Sequence, residues 1–254
     1  MRKYIALLFM LVVFAKASFA AEMPDEAQLS ANRMRFDSKT GDFLATGNVV
    51  IRADGLNVFA PRGTGNVQRK EVLFSEGVVA SGDWQGEWID LTAGSLSLFL
   101  GRNASYSAEN GVKGAVGKIT VDADSLSMQG SDLSAVNVRR LEDLEMDIAF
   151  GADDVKGTLE NGVLTALTAK TKVWLQGRPN SSGEMVDIRG GSAVYSVERG
   201  SVVISGNVRA IQKGRTLTSP SVVYFPKLNR VEAIGSASGG RAVISIDLRQ
   251  ENRR

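Results

Sequence analysis

The stretch Gly41-Asp-Phe-Leu-Ala-Thr-Gly47-Asn48-Val49 returns near the far end of the chain as Gly200-Ser-Val-Val-Ile-Ser-Gly206-Asn207-Val208, an offset of 159 residues. The same offset sets Gly55 against Gly214, Pro61 against Pro220, Val72 against Val231 and Phe36 against Tyr195. Each copy reads as a strand, a turn at Gly, a second strand, a Gly-Asn corner, a third strand and another Gly turn. A unit built only of short strands cannot bury its own apolar face and has to stack on neighbours. The repeat therefore predicts a stack of β layers, with function in the surface or trough that the layers build together.

Working outward, strand signals dominate. Leu96-Ser-Leu98-Phe-Leu100, Leu144-Glu-Met146-Asp-Ile148-Ala-Phe150 and Ile244-Ser-Ile246-Asp-Leu248 all alternate with a period of two. That period marks sheets with one apolar and one wet face. Punctuation comes from 27 glycines, many in pairs read as turns: Asn110-Gly111, Asn161-Gly162, Ser81-Gly82 and Arg199-Gly200. No Pro-rich linker interrupts the chain. Residues 21–254 are therefore read as one domain, with repeats at about 31–77 and 190–235 and degenerate layers between them.

The first twenty residues read as a cleaved signal peptide. Arg2 and Lys3 precede an apolar run from Ile5 to Ala15, and Ser18-Phe19-Ala20 is a small-x-small cleavage site. The expected location is outside the inner membrane, in the periplasm. The chain carries 30 basic and 28 acidic residues, and removing Arg2, Lys3 and Lys16 leaves the rest near neutrality. No concentrated basic stripe argues for nucleic acid.

Chemistry is sparse. The chain has neither His nor Cys, which removes most metal sites, the Ser-His-Asp triad and thiol nucleophiles. The adjacent pair Asp153-Asp154 sits in Gly151-Ala-Asp-Asp-Val-Lys-Gly157, read as a solvated turn. Asp122 and Asp124 share one face of a strand, yet no dense Asp/Asn/Gly loop surrounds them to complete a Ca²⁺ shell. Trp84, Trp88 and Trp174 are read as core or edge cover ahead of sugar-stacking platforms. The expectation is a protein that is not an enzyme, with no catalytic residue, metal or cofactor.

The block Ala31-Asn-Arg-Met-Arg-Phe36, Ala45-Thr-Gly-Asn-Val-Val-Ile51, Leu56-Asn-Val58 and Val72 to Gly77 resembles the OstA-type repeat. The second copy is closer: Gly191-Ser-Ala-Val-Tyr195, Val203-Ile-Ser-Gly-Asn-Val208, Leu217, Val223-Tyr-Phe and Val231-Glu-Ala-Ile-Gly235. That repeat belongs to the LptA/OstA family of periplasmic lipopolysaccharide-transport proteins. The resemblance implies an all-β fold, an open, slightly twisted β-jellyroll of stacked antiparallel strand layers. It also implies a greasy groove that shields the acyl chains of lipid A while lipopolysaccharide is carried from inner to outer membrane. The implied partners are lipopolysaccharide and related jellyroll components at the two membranes. This chain is longer between its copies than the family pattern.

Two-sheet folds alternate inward and outward side chains. Taking Val49 and Ile51 as inward also turns Phe43 inward and leaves Thr46, Asn48 and Arg52 outside. The groove candidates are then Met34, Phe36, Phe43, Val49, Ile51, Leu56 and Val58 in the first copy. In the second copy they are Tyr195, Val202, Ile204, Val208 and Leu217. The alternative is a structural or adhesive β-solenoid with a solid interior; a glycan-cleaving β-helix using Asp122 or Asp124 ranks third. A stack of layers also leaves strand edges at its ends, near Leu29–Phe36 and Ala242–Leu248. Such edges pair unless protected, which predicts head-to-tail self-association.

Overall fold

The computed structural model describes residues 28–53, 55–84, 87–99, 105–144, 147–160, 163–177, 184–196, 198–212, 214–228, 230–235 and 240–246. The expected signal peptide, residues 1–20, lies outside them, as do Asn161-Gly162 and Leu100. The described chain is all-β and every pairing is antiparallel. Its first strands are β1 (Gln28–Ser30), β2 (Arg33–Phe36), β3 (Asp42–Ala53), β4 (Leu56–Asn66), β5 (Glu71–Trp84) and β6 (Glu87–Phe99). The middle holds β7 (Ser105–Glu109), β8 (Val112–Val116), β9 (Ile119–Ala123), β10 (Ser125–Gln129), β11 (Asp132–Asp143) and β12 (Ile148–Glu160). The last part holds β13 (Val163–Gly177), β14 (Val186–Ser196), β15 (Ser201–Gln212), β16 (Arg215–Phe225), β17 (Arg230–Ile234) and β18 (Val243–Ile246).

The sequence repeat is a repeat of strands. Shifting both bounds of β3 by 159 gives those of β15, and the same shift turns β4 into β16. Pairing follows: Ser30 lies opposite Val50 as Arg189 lies opposite Arg209, and Met34 opposite Ala45 as Ala193 opposite Ile204. The short strands β1 and β2 together thus hold the place that β14 fills with one continuous strand.

Each long strand bends once, near its middle. Register slips between Thr46 and Val49 in β3, between Lys170 and Val173 in β13 and between Ser205 and Val208 in β15. The slips coincide with left-handed backbone: Gly47 and Asn48 have φ of 75° and 50°, Gly206 and Asn207 of 87° and 51°. Glycine has no Cβ to clash there, and Asn tolerates the region better than most residues. Where the bend is sharpest the strand divides, β7 from β8 at Asn110-Gly111 and β9 from β10 at Asp124.

Bending every strand at the same level folds the ladder along a line of corners. On one side β6 continues through β7 and β10 to β11; on the other it continues through β8 and β9 to the same β11. The result is an open jellyroll of two arms joined along the corner line. Among the described residues no ladder pairing runs from one arm to the other across the interior. Two apolar clusters fill the angle. The smaller joins Ala45, Val49, Val58, Ala60, Phe74 and Val78; the larger runs from Ile89 to Tyr224.

Several local expectations need correction. Ser81-Gly82 is no turn but lies within β5, where a Cβ on Gly82 would come within 2.1 Å of the Gly55 carbonyl oxygen. Gly82 is there so that two backbones can touch. The segment Gly151–Gly157 is not a loop but the middle of β12, with Asp153 at the corner, paired to Lys172 at 3.1 Å. The alternating run from Leu144 to Phe150 is not one strand: β11 ends at Asp143, the Leu144 amide donates to the Lys118 carbonyl, and β12 begins at Ile148, with residues 145–146 outside the described ones. Asp122 ends up beside a corner instead of on an open strand face, and Asp124 forms that corner. Arg139 Nε donates to Asp122 at 2.6 Å and its Nη1 binds Asp124, which also accepts from Asn137 at 2.7 Å. The Arg139 and Asn137 hydrogen bonds hold the Asp124 carboxyl below its usual range. These acids are spent on fastening a corner.

A β-branched residue is far more strained than Asn in the left-handed region. Asn48→Val and Asn207→Val should each lower unfolding free energy by about 1–3 kcal/mol, while the Gly replacements stay close to the parent. Urea titrations check this, and equal midpoints for the Val and Gly variants would contradict the corner assignment.

Candidate functional site

The site to be assessed is the angle between the arms, because both arms turn their apolar rows into it. In the first arm one such row passes across the strands through Phe43, Gly65, Val72, Leu98, Tyr106, Met128 and Leu133. In the second arm, Val58 faces Ile51 and Ala80, and Ile188 faces Leu175 and Ala210. Period-two alternation makes these rows follow from the sequence once the corners are placed. Asp143 is the one charged side chain fully buried among the described residues.

All twelve groove candidates carry inward parity, but the structure distributes them in three ways. Val49, Val58, Ile204, Val208 and Val202 are closed off from solvent, with Val49, Ile204 and Val208 at 0% exposure. Ile51, Leu56, Tyr195 and Leu217 are half-buried and lean on those clusters. Phe43 is half-buried over Gly65, where a Cβ would meet its ring at 2.6 Å. Met34 and Phe36 are 46% and 54% exposed because, among the described residues, β2 is the last strand of its arm and nothing covers its inward face. The first seven candidates and the last five fall into separate parts of the interior, bridged by Leu56, which touches both clusters.

Residues that alternation alone did not single out close the far part of the interior. Tyr224 of β16, on the first arm, is fully buried and reaches across to Gly177 of β13 on the second. A Cβ on Gly177 would stand 2.7 Å from the Tyr224 hydroxyl oxygen and 3.5 Å from Ile148. Glycine is needed there because the opposite arm occupies its side-chain space. The Tyr224 hydroxyl has no hydrogen-bond partner, and burial pushes its pKa up to about 12. Burial raises the phenols of Tyr106 and Tyr195 as well. Tyr224 stood in the quoted repeat as part of Val223-Tyr-Phe; its partner Gly177 offered no signal, because the contact joins strands far apart in sequence.

The Trp84 side chain lies outside the described residues, and the other two tryptophans do not converge. Trp88 is exposed on the outside of the second arm, opposite Asp83, whereas Trp174 is half-buried against Gly151. Among the described residues, no group of three or more Asp and Glu side chains is placed to hold a metal ion. No described helix is long and apolar enough to cross a membrane.

No protein-family model matches the chain, and no curated protein is similar to it in sequence. Among solved structures it is similar to LptH of Pseudomonas aeruginosa, described as the LptA-homologous periplasmic component of the lipopolysaccharide transport device. The identity is 13% over 87% of this chain and 95% of that one, with a TM-score of 0.27. At that score the two backbones superpose loosely.

A buried hydroxyl without a partner costs about 1–3 kcal/mol relative to an apolar group of the same shape. Tyr224→Phe should therefore raise the urea midpoint, and Gly177→Ala should lower it; a Phe variant less stable than the parent would mean that the hydroxyl is satisfied. The phenol also dictates a pH dependence. It stays protonated in the folded chain up to about 12 and ionises near its ordinary value of 10.0 when unfolded. The unfolded state then binds fewer protons, so stability falls as pH rises through 10 to 12, by up to about 1.4 kcal/mol per pH unit. The decline should be shallower in the Phe variant.

Proposed function

We propose that this chain is a lipid-shielding protein of the cell envelope, which takes acyl chains of lipopolysaccharide between its two arms in the periplasm. One observation carries the reading: the inward rows of both arms are apolar over almost their whole length, while among the described residues the backbone ladder joins the arms at the corners alone. Parting them breaks no ladder hydrogen bond. It exposes apolar surface that an acyl chain re-covers, at about 0.8 kcal/mol per buried methylene. The OstA-type resemblance of the repeat supports the same reading.

The ends of the stack suit transfer between partners. Met34 and Phe36 show their apolar faces at one end, and Val243 and Ile244 are 55% and 67% exposed at the other. Among the described residues, β1 and β2 pair with β3 alone, and β17 and β18 with β16 alone, so both ends offer backbone for a further strand. Head-to-tail stacking, on itself or on related jellyroll components at the inner and outer membranes, would continue the apolar rows from one molecule to the next.

The second reading is a structural or adhesive β protein with a solid interior. The closed packing around Val49, Ile204 and Val208 favours it. Photo-crosslinkers separate the two. In cells, probes at Phe36, Ile51 and Val208 should capture lipopolysaccharide while probes at Arg52 and Arg209, of outward parity, do not. Equal labelling of both parities, or purified protein that carries no extractable lipid, would favour the solid interior.

A further inference from the structure

Two polar side chains stand at one level of the apolar interior, Tyr224 and Asp143. The Tyr224 ring lies on the inward row of the first arm between Val202 of β15 and Val231 of β17, and its hydroxyl reaches the opposite arm at Gly177. The row facing it runs through Val116, Ile119, Asp143, Ile148, Gly177 and Val186 on successive strands. Asp143 and Gly177 pair with Ile148 from either side, so their backbones lie two strands, about 10 Å, apart. Tyr224 and Asp143 are both fully buried, and none of the residues named on the two rows is a cation.

We infer, building on the lipid-shielding reading, that the Tyr224 hydroxyl is a hydrogen-bonding subsite for a neutral hydroxyl group carried on an acyl chain, and so helps to decide which lipids the interior accepts. In the closed interior this hydroxyl has no hydrogen-bond partner. A phenylalanine would make the same apolar contacts without burying a donor. The hydroxyl therefore adds nothing to the packing of the arms, and its hydrogen-bonding capacity is left for a ligand. When the arms part, the ring leaves Gly177 and the hydroxyl turns to the space that an acyl chain fills.

The surroundings choose among the groups that a lipid could bring. A plain hydrocarbon would leave the donor as unsatisfied as before. A carboxylate or phosphate could accept from the phenol, but it would share a low-dielectric level with the Asp143 carboxylate, and neither row supplies a cation to offset the two charges. A neutral hydroxyl meets both demands, because it accepts from Tyr224 and can donate onward to a carboxylate. Gly177 keeps room for such a group, since a Cβ there would stand 2.7 Å from the phenol oxygen. Burial holds the phenol protonated up to about 12, so it is a donor throughout the neutral range.

Calorimetric titration of the lipid-free full chain tests this with octadecanoate, 3-hydroxyoctadecanoate and 12-hydroxyoctadecanoate, which share one chain length. At least one hydroxylated acid should bind the parent about threefold to tenfold more tightly than octadecanoate does. In Tyr224→Phe that preference should disappear, while octadecanoate binds at least as tightly as it does to the parent. Loss of the preference without loss of octadecanoate binding is a change that a merely structural role of Tyr224 would not produce. Trp88→Ala, on the outside of the second arm, should keep the preference. Equal binding of all three acids by the parent, or a preference that survives in Tyr224→Phe, would overturn the inference and leave the lipid-shielding reading standing. Failure of all three acids to bind would overturn both.

Discussion

Every strand that spans both arms has to bend at one level, and that constraint organises the molecule. A straight ladder of this length would expose a whole apolar face. Bending it once per strand brings the two halves of that face together, and the bend needs residues that accept left-handed backbone. Gly47-Asn48, Asn110-Gly111 and Gly206-Asn207 supply them at low cost, whereas Thr171 and Lys172, with φ of 62° and 52°, hold the same region against their preference. The ion pair of Lys172 with Asp153 and the fork of Arg139 over Asp122 and Asp124 sit on this line. They are exposed and contribute little each, but they fix the corners where the ladder is interrupted.

With the corners placed, the rest follows from alternation and size. The inward rows are dominated by Val, Ile, Leu and Ala, which interdigitate at short distance, and glycines stand where the opposite arm or a neighbouring ring takes the space. Gly65 beneath Phe43 and Gly177 beneath Tyr224 are the two clearest cases. At the N-terminal end the stack is less covered, so Met34 and Phe36 remain open to solvent. The interior is thus tight along most of its length and accessible at its ends. A carrier of acyl chains would combine these properties with arms that part without loss of backbone pairing.

The two faces of the first arm divide the chemistry. Inside, the row from Phe43 to Leu133 is apolar. Outside, the alternate positions of the same strands mix Ser, Thr, Gln and acids with Leu44, Leu73 and Phe99. A single period-two pattern thereby writes two surfaces of different character into one set of strands, separated by only the thickness of a sheet.

The sequence by itself determined the all-β class, the repeat and the parity of the inward residues, because each depends on local spacing along the chain. The offset between Gly47-Asn48 and Gly206-Asn207 reappears in the bounds of β3 and β15 and of β4 and β16, and the pairing register gives the twelve groove candidates one parity, although Met34 and Phe36 stay exposed. Local spacing also misled where a glycine pair resembled a turn: Ser81-Gly82 continues its strand, because the reason for Gly82 is the carbonyl of Gly55, in the turn that leads into β4. Only the tertiary structure decided that the Gly-Asn pairs lie in the middle of strands and that Tyr224 meets Gly177 across the interior. Those features arise from contacts between residues tens of positions apart and from the twist of a whole sheet, and neither leaves a periodic trace in the residues that make them.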